Sequence, residues 1–174
     1  MKRVFAIDQA LHTGWATDMP TGGGRPLCGV WDLKGGGADY EAAYVDLEER
    51  LLEAIAVHKP DVIVFESPLL VHGDKVITTE DTTRLSFGLA SVAGLVAKRE
   101  GLEPAEANNM TWKKHFVGNG RAKKRETQER CRLMGWGSLN NNAADACGIW
   151  AYAKAVLDPS FNYVTTPMFA RASA

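Results

Sequence analysis

The sequence predicts an α/β fold, and three observations carry that prediction. Short apolar runs such as RVFAID (3–8) and DVIVFE (61–66) have the length and β-branched content of buried strands. The segment ADYEAAYVDLEERLLEAIAVHKP (38–60) repeats Tyr44, Leu47, Leu51 and Ile55 at helical spacing, with Glu48, Glu49 and Arg50 between them. The runs follow one another as three strands, helix, strand, helix, strand and then helices, within a length that suits one domain.

Element by element, RVFAID (3–8), TGWATDM (13–19) and PLCGVWDLK (26–34) read as an antiparallel meander, the last two joined by the turn PTGGGR. The glycines at 22–24 and 35–37 open no helix in a phosphate-loop pattern and read as loop. Pro60 ends the helix of 38–60, and DVIVFE (61–66) is a strand covered on both faces. SPLLVHGDKVITTEDTT (67–83) reads as an exposed loop. RLSFGLASVAGLVAKRE (84–100) is a helix whose small residues permit close packing, closed by Gly101. LEPAEAN (102–108) suits an edge strand because of Pro104. MTWKKHF and AKKRETQERCRLMG read as two basic helices around VGNGR, and NNAADACGIWAYAKAVL (141–157) as a final apolar helix. The predicted domain spans 1–174, with a core of 3–157 and a patternless tail of 158–174.

Composition excludes several classes. A hydrophobic share of 45% and a charged share of 24% are globular values, so disorder is excluded. A formal net charge of −1 means that any attraction to nucleic acid has to be local. Cys28, Cys131 and Cys147 are odd in number and lack CxxC spacing, which argues against a disulfide frame or a zinc site. His12, His58, His72 and His115 are scattered and lack HExxH spacing. No apolar run reaches membrane-spanning length and MKRVFAID is too short for a signal peptide, so a soluble cytoplasmic protein is expected.

Three acids stand at element ends. Asp8 closes the first strand and Glu66 the fourth, so parallel pairing of those strands would bring both carboxylates out at one sheet edge. Asp145 lies near the start of the last helix, within an apolar segment; the helix dipole alone could account for it. Together, three clustered carboxylates cost several kcal/mol unless a cation joins them. Hard oxygen donors suit Mg²⁺, and two such ions about 4 Å apart can activate water and stabilise the leaving oxygen of a phosphodiester.

With these residues in place, the chain resembles the RNase H-like (retroviral-integrase) superfamily, and within it RuvC-type Holliday junction resolvases of the phage-like branch. TWKKHFVGNGRAKK (111–124) carries the resemblance most specifically, supported by DVIVFE and NAADA. It implies an RNase H-like sheet of five strands, three antiparallel and then two parallel additions, flanked by helices. It also implies a Mg²⁺-dependent endodeoxyribonuclease, with two ions per active site and Mn²⁺ able to substitute. The enzyme would cut branched DNA, above all four-way junctions, as a homodimer in a bacterial or phage-infected cell, leaving 5′-phosphate and 3′-hydroxyl ends. Asp8, Glu66 and Asp145 would bind the metal. The family's fourth position, commonly Asp and in some members His, is Asn142 here. An amide oxygen can coordinate Mg²⁺ but brings no charge and cannot act as a base. A tolerated ligand is the reading favoured over weakened metal binding, an inactivated site that still binds junctions, or a mere capping residue.

The segment 113–132 concentrates positive charge opposed only by Glu126 and Glu129. A solvated helix face would look the same, but the turn Gly118–Asn119–Gly120 lets backbone amides approach phosphate, and the next helix N-terminus favours an anion. Lys113 and Lys124 match the family's functional lysines. Lys114, Arg121 and Lys123 are expected to contact the DNA backbone. In the loop after Glu66, Leu70, with Leu69 and Val71 beside it, is either a junction wedge or an ordinary loop hydrophobe. Trp112 and Trp136 stack on bases or sit in the core, and the helix 84–100 forms a dimer interface or packs on its own sheet.

Overall fold

The computed structural model describes residues 2–22, 24–35, 39–68 and 79–161. The elements are β1 (Val4–Asp8), β2 (His12–Asp18), β3 (Pro26–Asp32), α1 (Tyr40–His58), β4 (Val62–Glu66), α2 (Glu80–Arg99), β5 (Glu103–Ala107), α3 (Asn109–Val117), α4 (Lys124–Leu133) and α5 (Asn141–Leu157). The sheet order is β3-β2-β1-β4-β5. β1 pairs antiparallel with β2 and β2 with β3, whereas β4 runs parallel to both β1 and β5. This is the mixed sheet expected above, and Pro104 does lie on its edge strand. No described helix is long and apolar enough to cross a membrane.

β1 and β4 are apolar up to their terminal acids because both of their faces are covered, and their side chains alternate between two cores. Val4, Ala6, Val62 and Val64 join the core under α3, α4 and α5, with Trp112, Phe116 and Trp150. Phe5, Ile7, Ile63 and Phe65 join the other, under α1 and α2, with Leu47, Leu51 and Leu89. The small-residue stripe of α2 is spent in this second core: Ala90, Ala93 and Ala97 are buried within the chain.

Two details differ from the sequence reading. α2 begins at Glu80, four residues before the expected start of 84. Thr79 caps it by accepting from the Thr82 amide at 3.2 Å, and Glu80 and Asp81 oppose the dipole of the first turn, so part of the polar run TTEDTT is helix rather than loop. The three free cysteines, far apart in sequence, share one core, where the Cys147 thiol contacts both Cys28 and Cys131.

Small residues set the position of α5. A β-carbon on Gly14 would lie 1.9 Å from the Asn142 carbonyl oxygen, so the first turn of α5 rests on the β2 backbone. Gly14 is the cross-strand partner of Asp8. Close approach at this glycine therefore brings α5, and Asp145 with it, over the end of β1.

Candidate active site

Parallel pairing of β1 with β4 places Asp8 and Glu66 at adjacent strand ends, as the spacing of acids had suggested. The main-chain ladder stops at Ile7 and Phe65, and Gln9 continues it with its side chain. Its Nε2 donates to the Glu66 carbonyl at 2.5 Å, and its Oε1 accepts from the Glu66 amide at 3.1 Å. That pair of bonds welds the two acid-bearing strand ends. Nothing in the sequence marks Gln9 for this role.

The Glu66 carboxylate is held in turn by α3. Asn109 Nδ2 and Trp112 Nε1 both donate to Oε1, at 2.5 and 2.8 Å. The third acid, Asp145, is buried on α5; its Oδ1 has no partner within hydrogen-bond geometry among the described residues, although the Thr127 hydroxyl, likewise unpaired, is near enough to favour its charged form. A buried carboxylate oxygen left unpaired is costly and asks for a cation.

The electrostatics tie the three acids together. Burial, followed by the charges of Glu66 and Asp145, pushes the Asp8 carboxyl up to about 8, against the pull of Lys124 and Lys113. Asp145 is pushed up to about 6, mainly by burial, with Glu66 adding and Lys113 opposing. Glu66 is raised by burial, while the Trp112 hydrogen bond, Lys113, Asn109 and Lys124 act the other way. Among the described residues no three acidic, histidine or cysteine side chains close into a ready-made metal cage. The donor set nevertheless fits hard divalent ions: one buried and two half-buried carboxylates that repel one another, and no soft ligand among them.

A pH dependence follows. Asp8 and Asp145 hold protons in the folded chain above the ordinary aspartate value of about 3.9. Stability from these groups is therefore complete below about pH 4 and is lost as pH rises toward 8, because the unfolded chain releases those protons earlier. In EDTA, the melting temperature should fall by several degrees between pH 5 and pH 8. Mg²⁺ should restore it at pH 8 and have little effect at pH 5, and an equal response to Mg²⁺ at both values would contradict the assignment. Thermal denaturation in matched buffers measures it.

Lys113 and Lys124, at the N-terminal side of the GNG turn and at the start of α4, both act on all three acids. Gly118 closes α3 in the left-handed region at φ 89°, where a side chain would be strained. Asn119 folds the turn by accepting from the Arg121 amide at 3.0 Å. Gly120 is half-buried, while Lys114, Arg121 and Lys123 are exposed. One expectation changes here. The N-terminus of α4 is already served by the chain's own acid, since the Lys123 amide donates to Glu126 Oε2 at 2.7 Å. That reduces its capacity for phosphate, leaving the lysine side chains as the stronger anion contacts.

Asn142 lies in the first turn of α5, but the helix cap is Asn140, which accepts from the Ala143 amide at 2.9 Å. The Asn142 amide donates instead to the His12 carbonyl at 2.7 Å, fastening α5 to the start of β2. Trp112 and Trp136 are buried and unavailable for base stacking. Leu70, with its neighbours Leu69 and Val71, lies outside the described residues, as does the tail beyond Phe161.

Sheet order, flanking helices and the placement of β1, β4 and α5 define an RNase H-like fold of the RuvC type. The chain is similar to the RuvC structure of Thermus thermophilus, with a TM-score of 0.67 and 17% identity, over 91% of this chain and 97% of that one. It is similar also to Thermus thermophilus RuvC in complex with a Holliday junction substrate, with a TM-score of 0.66 and 18% identity, over 88% and 96% of the two chains. A third likeness is to the yeast mitochondrial Holliday junction resolvase, with a TM-score of 0.59 and 16% identity, over 92% and 82%. In sequence, no family model and no curated protein matches the chain.

Proposed function

We propose that this chain is a divalent-metal-dependent, structure-selective DNA endonuclease that resolves four-way or related branched junctions. The observation that carries the reading is the placement of Asp8 and Glu66 at adjacent ends of the parallel strands β1 and β4, within electrostatic reach of Asp145, Lys113 and Lys124, on a RuvC-type fold. One domain spanning 1–174 would do this work as a homodimer, because resolving a junction requires two symmetric cuts.

In the mechanism, Asp8, Glu66 and Asp145 would hold Mg²⁺, with Mn²⁺ as a substitute. Bound there, the ions supply Lewis acidity toward the scissile phosphate and an acidified water. Lys113 and Lys124 offset part of the carboxylate charge, so that a phosphate meets less repulsion as it approaches the three acids. Gln9, Asn109 and Trp112 keep Glu66 at a fixed position and angle. Lys114, Arg121 and Lys123 touch the backbone beyond the cut and give binding its salt dependence. Hydrolysis leaves 5′-phosphate and 3′-hydroxyl ends.

Cleavage of four-way, three-way, flap and duplex DNA side by side, with Mg²⁺ and with EDTA, tests the proposal. The expected result is Mg²⁺-dependent cutting that is strongest on the four-way junction. Junction binding without cutting under any divalent ion would instead support a non-catalytic binder, in which Asn142 marks lost chemistry.

Asn142→Asp separates these two readings further. We expect it to change the cleavage rate by less than about tenfold, a barrier change within about 1.4 kcal/mol. The natural amide anchors α5 through His12, and an added carboxylate would only increase repulsion among the acids. A gain of a hundredfold or more in the same assay would mean that the natural residue cripples the site.

A further inference from the structure

We infer that Trp112 is a positioning residue for the metal-binding acid Glu66, an inference that rests on the nuclease reading above. The indole is 0% exposed and bridges three parts of the site. Its Nε1–H donates to Glu66 Oε1 at 2.8 Å. The Lys113 ammonium lies 5.2 Å from the centre of its ring, a cation–π contact that directs this lysine. On the far side it presses on α5, where a β-carbon at Gly148 would come within 2.6 Å of Cζ3. Gly148 follows Asp145 by one helical turn, so the same ring gauges the spacing between β4 and α5.

The geometry specifies what the bridge does. Asn109 and Trp112 donate to the same oxygen and so occupy the two lone-pair directions of Oε1. Oε2 is left as the oxygen of Glu66 available to a cation. The carboxylate is thereby fixed as a one-oxygen ligand whose rotation is blocked before any ion arrives. A core tryptophan needs no such alignment, because burial alone would satisfy its apolar surface and any carbonyl would satisfy its N–H.

The test is calorimetric titration of Mn²⁺ into the full-length natural chain, Trp112→Phe and Asn109→Ala, paired with the Mg²⁺ dependence of junction cleavage. Phenylalanine keeps an aromatic ring and removes the donor but leaves a cavity where the larger indole stood, and Asn109 is only half-buried, so Asn109→Ala carries the test should Trp112→Phe fail to fold. We expect Mn²⁺ affinity to fall by about tenfold or more in each variant. The Mg²⁺ concentration for half-maximal cleavage should rise in step, the rate at saturating Mg²⁺ should recover, and metal-free junction binding should stay unchanged. Natural chain and variants binding Mn²⁺ equally would overturn the positioning role and leave the nuclease reading standing. A natural chain that binds no Mn²⁺ would overturn both.

Discussion

Asp8→Asn should lower Mg²⁺-dependent junction cleavage by about a thousandfold, some 4 kcal/mol of barrier, while leaving junction binding intact. The substitution is nearly isosteric, and it removes the charge at the centre of the cluster, the one that both other acids raise. The same change should make the metal-free protein more stable at pH 8. A half-buried carboxylate repelled by Glu66 and Asp145 is a cost to the fold, and an amide lifts it. Melting temperature and cleavage rate should therefore move in opposite directions. Loss of both together would mean that Asp8 serves the fold rather than the chemistry, and a cleavage rate within tenfold of the natural chain would remove it from the mechanism.

Gly14→Ala should be more damaging than alanine at most other glycines among the described residues. The new carbon would sit 1.9 Å from the Asn142 carbonyl oxygen and 3.0 Å from the Ala143 amide, both of them main-chain atoms with no side-chain freedom to yield. Either β2 or the first turn of α5 has to move, at a cost of about 2–3 kcal/mol. For a chain of this length that corresponds to a drop in melting temperature of roughly 5–10 °C. Because α5 carries Asp145, cleavage should fall even at temperatures where the variant stays folded. Gly94→Ala is the control. Its β-carbon would meet nothing nearer than 3.7 Å, and within α2 an alanine should be neutral or stabilising by up to about 1 kcal/mol. Equal melting temperatures for the two variants would refute the close approach of α5 to β2.

Much of this architecture was legible from residues alone, for identifiable reasons. β1 and β4 are covered on both faces, so their sequences are unbroken apolar runs, and an acid at the end of such a run stands out. α5 is apolar nearly all round because it lies between the sheet and α3 and α4, which makes Asp145 conspicuous in the same way. Lys113 and Lys124 stand out only through the TWKKHFVGNGRAKK resemblance; in the fold, both lie close enough to lower the pKa of Asp8. What stayed hidden depends on contacts between distant positions. Trp112 reaches Glu66 across 46 residues and Gln9 reaches it across 57, and neither residue type at those places announces a carboxylate partner. The start of α2 was missed because the polar residues of a helix's first turn read like those of a loop. The bond from the Lys123 amide to Glu126 at the α4 N-terminus is likewise a contact that the residue pattern does not announce.

The most direct measurement of the central claim is a crystal structure of the full chain soaked in Mn²⁺, with anomalous diffraction locating the metal. The account predicts manganese between the ends of β1 and β4 and the first turns of α5, bonded to Asp8, to Glu66 through Oε2, and to Asp145. Manganese bound elsewhere, or none at saturating concentration while these three side chains remain well ordered and unligated, would contradict it.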